Sequence, residues 1–247
     1  MRRAGTVVAD VLSKLQKIAK PGMTTAYLNG IALDMTADAG AEALFKGVRH
    51  PQTRMPFPGA ICASVNEQVV HGIPSESVVL REGDILSIDF GVRLDGYCGD
   101  AAVTVPIGRI SEENRRLIDT TREVLKIAID RARPGVRWSE VAGKMQRHAE
   151  SAGFSVVRDF VGHGIGTKMH EDPKVPNFVS AELLADDIHL AEGMVLAVEP
   201  MINAGRYAVR TLGNGWTVVT RDGKYSAHFE HTIAMVKGGG EVLTREQ

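Results

Sequence analysis

Apolar positions along the chain switch from helical spacing to alternation twice, and the two cycles run in the same order. Val7, Val8, Val11, Leu12, Leu15 and Ile18 keep helical spacing, which predicts a first helix over about 2–19 that stops at Pro21-Gly22. Thr24 or Thr25 can cap a second helix running to about Phe45, and Pro51, Pro56 and Pro58 make 49–59 a loop. Short strands are predicted over 61–65 and 69–70, leading into a turn at His71-Gly72-Ile73-Pro74. Positions 85–92 and 97–105 form the clearest hairpin, joined around Leu94-Asp95-Gly96. Helical spacing then returns. Ser111 can cap a helix striped by Leu117, Ile118, Val124 and Leu125, and Ser139 can cap another carrying Val141, Ala142, Met145 and Ala149, ended by Gly153. Strands follow over 155–157, 194–199, 208–212, 216–220 and 227–236. Helices then strands, twice over, is an α+β pattern with helices against a curved, mostly antiparallel sheet. No linker composition separates the cycles, so one domain over 1–247 is expected, with halves of about 1–108 and 109–247.

The cycles also share residues. Glu82-Gly83-Asp84-Ile85-Leu86-Ser87-Ile88-Asp89 returns 110 residues later as Glu192-Gly193-Met194-Val195-Leu196-Ala197-Val198-Glu199. Lys20-Pro21-Gly22 is echoed by Arg133-Pro134-Gly135, and His71-Gly72-Ile73 by His163-Gly164-Ile165. The period is too long for a solenoid, so the reading is two fused half-units related by pseudo-symmetry. Each half brings an apolar strand with an acid at its end. Acids gathered at such a seam repel one another unless protons or cations compensate, which points to metal ions.

Composition narrows the class. Lys and Arg total 29 against 30 Asp and Glu, so no basic surface for nucleic acid is expected. Asp10, Lys14 and Lys17 interrupt the N-terminal apolar stretch, which reads as an amphipathic helix rather than a secretion signal, and no apolar run is long enough to cross a bilayer. Cys62 and Cys98 are read as free thiols in a reducing cytoplasm.

Four acids stand out by context. Asp89 ends an apolar strand and Asp100 lies on the other arm of the same hairpin, 11 positions on. Glu199 follows Val195-Leu196-Ala197-Val198, and Glu230 sits within Phe229-Glu230-His231-Thr232-Ile233. A carboxylate among such neighbours is unfavourable unless paired or metal-bound. His163 lies in Gly162-His163-Gly164-Ile165-Gly166, with His170 seven residues later. That spacing fits neither the H-E-x-x-H zinc helix nor the full dinucleotide-binding glycine pattern. Four carboxylates and one imidazole suit Mn, Fe(II), Co or Zn in a dinuclear arrangement. Two ions about 3.5–4 Å apart can share a water, lower its pKa and hold the carbonyl it attacks, so the reaction class is hydrolysis of an amide or similar bond.

These residues bring a family into view. Val65-Asn66-Glu67-Gln68-Val69-Val70-His71-Gly72-Ile73-Pro74, the Asp89/Asp100 pair, Gly162-His163-Gly164-Ile165-Gly166 with His170-Glu171, Val198-Glu199-Pro200-Met201 and Phe229-Glu230-His231-Thr232 together resemble type I methionine aminopeptidase over nearly the whole chain. The resemblance implies the pita-bread fold, with two pseudo-symmetric halves. It implies removal of the initiator methionine from nascent peptides when the second residue is small. Asp89, Asp100, His163, Glu199 and Glu230 are then the metal ligands, with Asp100 and Glu230 bridging two divalent ions (Co, Mn, Fe or Zn). His71 would hydrogen-bond the scissile peptide nitrogen, His170 would steady the carbonyl oxygen, and Glu199 would accept a proton from the attacking water, activated to hydroxide by the metals. Phe57, Cys62, Met169 and Trp216 match the methionine pocket, and Asn66 and Ser226 match a monovalent-cation site of some relatives.

Several positions depart from the family pattern. Arg54 stands where a tyrosine is expected, Met169 where a phenylalanine is usual, Pro51 where some members have a cysteine, and His228 where a glutamine is common. Only 29 positions separate His170 from Glu199, which leaves no room for the helical insertion of type II enzymes, so a minimal catalytic core is expected. By the same resemblance the partners are nascent polypeptides bearing an N-terminal Met and the ribosome, with no nucleic acid or membrane bound by the enzyme itself, and the expected form is a cytoplasmic monomer. Two other readings compete: an Xaa-Pro aminopeptidase or prolidase of the same fold, and a non-catalytic binding relative. All five ligand positions are filled, which favours an enzyme.

Overall fold

The computed structural model describes residues 1–49, 53 and 55–245. The helices are α1 (Arg2–Ile18), α2 (Thr25–Asp38), α3 (Glu112–Arg131), α4 (Trp138–Ser151) and α5 (Ala181–Ala185). In the first half the strands are β1 (Glu42–Ala43), β2 (Ile61–Val65), β3 (Gln68–Val70), β4 (Ile85–Leu94) and β5 (Tyr97–Pro106). The second half holds β6 (Ser155–Val156), β7 (Gly162–Gly164), β8 (Glu171–Val175), β9 (Val195–Val198), β10 (Met201–Asn203), β11 (Val209–Thr211), β12 (Val218–Thr220), β13 (Ser226–His228), β14 (Glu230–Val236) and β15 (Gly239–Val242).

The principal sheet runs β1-β4-β5-β14-β9-β7-β8, with β2 added to β4 and β15 to β14. Its pairings are antiparallel, and its middle junction, β5 against β14, joins the two halves. Alternation along each strand puts apolar side chains on one face. On that face, Leu86, Ile88 and Phe90 of β4 pack with α1 and α2 through Val8, Leu12, Leu15 and Leu28. The second half repeats the layer: Leu196, Val198 and Ile233 pack with Leu117, Val124, Trp138 and Met145 of α3 and α4. Each half therefore carries its own helix-covered core, and the opposite face of the shared sheet is left for the site.

The seam has a two-fold logic of its own. Only Glu230↔Ala102 and His231↔Ala101 pair directly across it. On one side the hydroxyl of Thr232 accepts from the Asp100 N–H (3.0 Å) and donates to the Asp100 carbonyl (2.8 Å). On the other, Thr104 does the same for His228, at 2.8 Å in both bonds. Two threonines, two residues past Glu230 and Ala102, thus fix the backbone of Asp100 and that of His228, two residues before Glu230.

Several expected elements need correction. The second helix ends at Asp38 rather than near Phe45: Gly40 takes a positive φ of 63°, and Glu42 and Ala43 pair with Arg93 and Val92 as a strand. Sheet pairing overrides the helix propensity of the alanine-rich stretch. Ser139 does not cap α4. The helix begins at Trp138, and the distant Asp187 caps it from outside, accepting from the Ser139 backbone N–H (3.0 Å) and hydroxyl (2.5 Å). Ser111 does cap α3, accepting from the Asn114 N–H at 3.2 Å. The stretch expected as one strand over 227–236 breaks at Phe229 into β13 and β14.

Candidate metal centre and its cleft

Register brings the five expected ligands onto one sheet face. Asp89 pairs with Ala102, and Asp100 pairs with Gly91, so the two acids are diagonal neighbours rather than directly opposite. Glu230 also pairs with Ala102, from the other side. Continuing the β14–β9 register one step past His231↔Val198 sets Glu199 against Glu230. His163 pairs with Ala197, two residues from Glu199 and on the same face. Ala102 and Ala197, both small, leave the space above them to the ligands. Gly91 does likewise, since a Cβ there would lie 3.0 Å from Asp100 Oδ1.

The glycines around His163 turn out to serve close approach. The Gly-His-Gly segment is strand β7, not a turn, and a side chain at Gly162 or Gly164 would strike the carbonyl oxygens of Ala197 or Asp172. His163 Nδ1 bonds the Gly164 carbonyl at 2.9 Å, which makes Nδ1 the protonated nitrogen and leaves the Nε2 lone pair facing the acids. Ligand atoms of Asp100, His163 and Glu230 lie within 4.8 Å of one another, and His163 Nε2 is 3.7 Å from Glu199 Oε1.

The electrostatics call for cations. Burial holds Asp100 up at about 7. Asp89, Glu199 and Glu230 are pushed well above the usual carboxylate range, first by burial and then by the charge of Asp100, with Glu199 adding to the effect on Asp89 and Glu230. Asp89 Oδ1, Asp100 Oδ1 and Glu230 Oε1 are buried without a hydrogen-bond partner. An uncompensated buried carboxylate costs several kcal/mol, on the order of the whole stability of a domain when multiplied by four. Oxygen-rich donors with orphaned lone pairs and one correctly tautomeric imidazole fit divalent metal ions.

A pH dependence follows for the ion-free protein. Carboxylates with raised values hold protons in the folded chain that the unfolded chain releases near pH 4, so they make stability fall as pH rises through about 7 and beyond. His163 and His231 are lowered to about 4 and His228 to about 3, chiefly by burial, so they make stability rise up to the ordinary histidine value. The two sets oppose each other below about pH 6.5; above it the carboxylates act, joined near pH 8.5 in the same direction by the buried thiols of Cys62 and Cys98, whose values are also raised. Thermal unfolding of chelator-treated protein should therefore show Tm falling from pH 6.5 to 8.5, with Mn(II) abolishing the fall. A flat or rising Tm would contradict this.

A cavity of about 880 Å³ opens over the five residues. His71, His170, Phe57, Cys62, Met169 and Trp216 all line it. His71 has a φ of 58°, an uncommon conformation for a side chain other than glycine, and stands edge-on to Phe160 with ring centroids 5.7 Å apart. His170 faces His163 at 4.4 Å between centroids, and burial lowers its pKa. On the apolar side Phe57 and Trp216 meet edge to face at 5.4 Å, and the Trp216 indole N–H donates to the Met55 carbonyl at 3.0 Å. Cys62 and Cys98 are free and buried. Asn66 and Ser226 lie together away from this cavity, the Ser226 N–H donating to the Asn66 carbonyl at 2.9 Å. Arg54 and Pro51 lie outside the described residues.

Sequence reasoning missed three residues that shape the site. Phe45 joins Phe57 and Cys62 in the apolar wall, and Phe160 braces His71. Asn177, fully buried, donates from Nδ2 to the Glu199 carbonyl at 3.1 Å. The next residue back, Pro176, accepts the Trp138 indole N–H at 2.7 Å, so α4 anchors the segment that holds Glu199. No local pattern marks any of the three. No helix among the described residues is long and apolar enough to cross a membrane.

Comparison with known proteins agrees with the geometry. Residues 1–237 match the model of metallopeptidase family M24. A methionine aminopeptidase of Clostridium acetobutylicum is 48% identical over 99% of this chain and 94% of its own length. The crystal structure of the methionine aminopeptidase of Thermotoga maritima superposes with a TM-score of 0.93 at 41% identity, covering 100% of this chain and 95% of that one. Prolidase from Pyrococcus furiosus shares the fold, with a TM-score of 0.75 at 19% identity over 100% of this chain and 63% of that one. Two pseudo-symmetric halves closing one curled sheet over a buried acidic cluster are the pita-bread arrangement. The chain belongs to metallopeptidase family M24 and, within it, to the methionine aminopeptidases.

Proposed function

We propose that this chain is one catalytic unit that hydrolyses the first peptide bond of substrates carrying an N-terminal methionine followed by a small residue. The observation that carries the reading is the meeting, in one cavity, of five metal-type ligands, with Asp100, His163 and Glu230 buried, and an apolar wall. Asp89, Asp100, His163, Glu199 and Glu230 would hold two divalent ions (Co, Mn, Fe or Zn), with Asp100 and Glu230, locked at the seam, shared between them. When bound, such ions lower the pKa of a water and draw electron density from the scissile carbonyl.

The chain's own groups do the rest. Glu199 is positioned to take the proton of the attacking water, because its carboxylate faces the cavity. His170 donates to the carbonyl oxygen as negative charge develops there. His71, which also lines the cavity, hydrogen-bonds the peptide nitrogen once the carbonyl carbon is tetrahedral and that nitrogen's lone pair is free to accept, and the proton taken up by Glu199 passes to the same nitrogen as the C–N bond breaks. Phe57, Cys62, Met169 and Trp216, with Phe45, give the methionine side chain an apolar and polarisable surface. Asn66 and Ser226 are proposed as a monovalent-cation site. Nascent polypeptides, delivered in the cytoplasm at the ribosome, are the proposed substrates.

A peptide panel tests the reading. Met-Ala-Ser should be cleaved about 100-fold more efficiently than Leu-Ala-Ser, the order of discrimination one apolar pocket can supply. Xaa-Pro dipeptides should be left intact. Preferential cleavage of Xaa-Pro would move the chain to the prolidase type, and no cleavage with any divalent ion would make it a binding relative.

A further inference from the structure

We propose that His228 is a positioning residue for Glu199: its Nε2–H donates to Glu199 Oε2 and holds the carboxylate with Oε1 turned toward His163. This rests on the reading of Glu199 as a metal ligand. His228 is 1% exposed, and its Nε2 is buried with no hydrogen-bond partner. That nitrogen stands 3.8 Å from Glu199 Oε2, while Glu199 Oε1 stands 3.7 Å from His163 Nε2. One carboxylate is thus flanked by two imidazoles, one on each oxygen.

Both backbones in this contact are fixed. Thr104 clamps the N–H and carbonyl of His228, each at 2.8 Å, and itself accepts from the Ser87 hydroxyl at 2.8 Å. Asn177 holds the Glu199 carbonyl. Closing the gap to hydrogen-bond distance therefore takes only a small turn of the Glu199 side chain. An ionised carboxylate offers only lone pairs, so the nitrogen facing it carries the hydrogen. His163, with its hydrogen on Nδ1, is in the opposite tautomer. The same carboxylate is then read by a lone pair on one side, through an ion, and by an N–H on the other.

The test uses the Zn(II)-loaded full chain as wild type, His228→Gln and His228→Leu. Glutamine can present an N–H at similar reach, whereas leucine cannot. His228→Leu should lower kcat and ion affinity each about 10-fold, the usual effect of removing a hydrogen-bond partner of a metal ligand. KM should stay within about 2-fold, and His228→Gln should recover kcat to within about 3-fold of wild type. In ¹⁵N-histidine NMR of the wild type, His228 should show a protonated Nε2 and a bare Nδ1. Unchanged kcat and ion affinity in His228→Leu, failure of glutamine to rescue, or an Nε2 that is bare or bonded to zinc would overturn the proposal. The NMR arm decides even if the leucine variant does not fold. A wild type that binds no ions would instead overturn the reading of Glu199 on which this depends.

Discussion

Glu230→Gln is expected to reduce the ion content of the purified protein from two per chain to one or none, and kcat/KM by about 1,000-fold. The reduction corresponds to about 4 kcal/mol of transition-state stabilisation. Glu230 lies at the centre of the seam, opposite Ala102 and within reach of Asp100 and His163, with Oε1 buried and unpartnered. Glutamine preserves the shape but removes the negative charge from the place where the two halves meet. It also puts an amide N–H₂, a donor, where two cations would each seek a lone pair. The fold should survive, because the seam is held by the Thr232 and Thr104 clamps and by α3, none of which uses the Glu230 carboxylate. The ion-free variant should even be more stable above pH 6.5 than ion-free wild type, since one repelling acid is gone. Elemental analysis after dialysis together with kinetics on Met-Ala-Ser checks this. Two ions and full activity would show that Glu230 does not bridge.

The second large effect separates catalysis from ion binding. His71→Ala should retain both ions and lower kcat by about 100- to 1,000-fold, or about 3–4 kcal/mol, with little change in KM. This is the range for removing one preorganised donor from a developing charge. His71 lines the cavity but belongs to the loop after β3, not to the sheet face that carries the five ligands. Its left-handed backbone already exists in the wild type, so alanine inherits the strain and adds little of its own. Thermal unfolding close to wild type, full ion content and a collapsed kcat form the expected signature. Loss of ions in this variant would place His71 among the ligands and refute its assignment.

Much of the site was readable in the order of residues because strand alternation carries it. Asp89 interrupts an apolar period-two run, and Asp100 follows across a two-residue turn, Asp95-Gly96, in which both residues take positive φ. The 110-residue echo pairs β4 with β9 and so places Glu199 by symmetry with Asp89. What could not be read depends on contacts far apart in sequence. β1 forms only because β4 offers Arg93 and Val92 as partners, which no propensity at Glu42 and Ala43 announces. The cap of α4 comes from Asp187, 48 residues beyond the serine it binds. Gly162 and Gly164 are small so that the carbonyls of Ala197 and Asp172 can approach, contacts far apart in sequence that no local pattern announces. Asn177, Phe45 and Phe160 act by position alone. His228 was visible as a departure from the family pattern, yet only the geometry shows it aimed at Glu199.

On the proposed function, carboxylates from both halves and one imidazole gather to hold a pair of cations. The most direct measurement is an anomalous difference map from crystals grown with Mn(II), collected near the manganese edge. Two peaks are predicted about 3–4 Å apart on the open sheet face, both touching Asp100 and Glu230, with Asp89 on one and His163 and Glu199 on the other. A map with no peak between these side chains, or with manganese bound elsewhere on the chain, would contradict the claim.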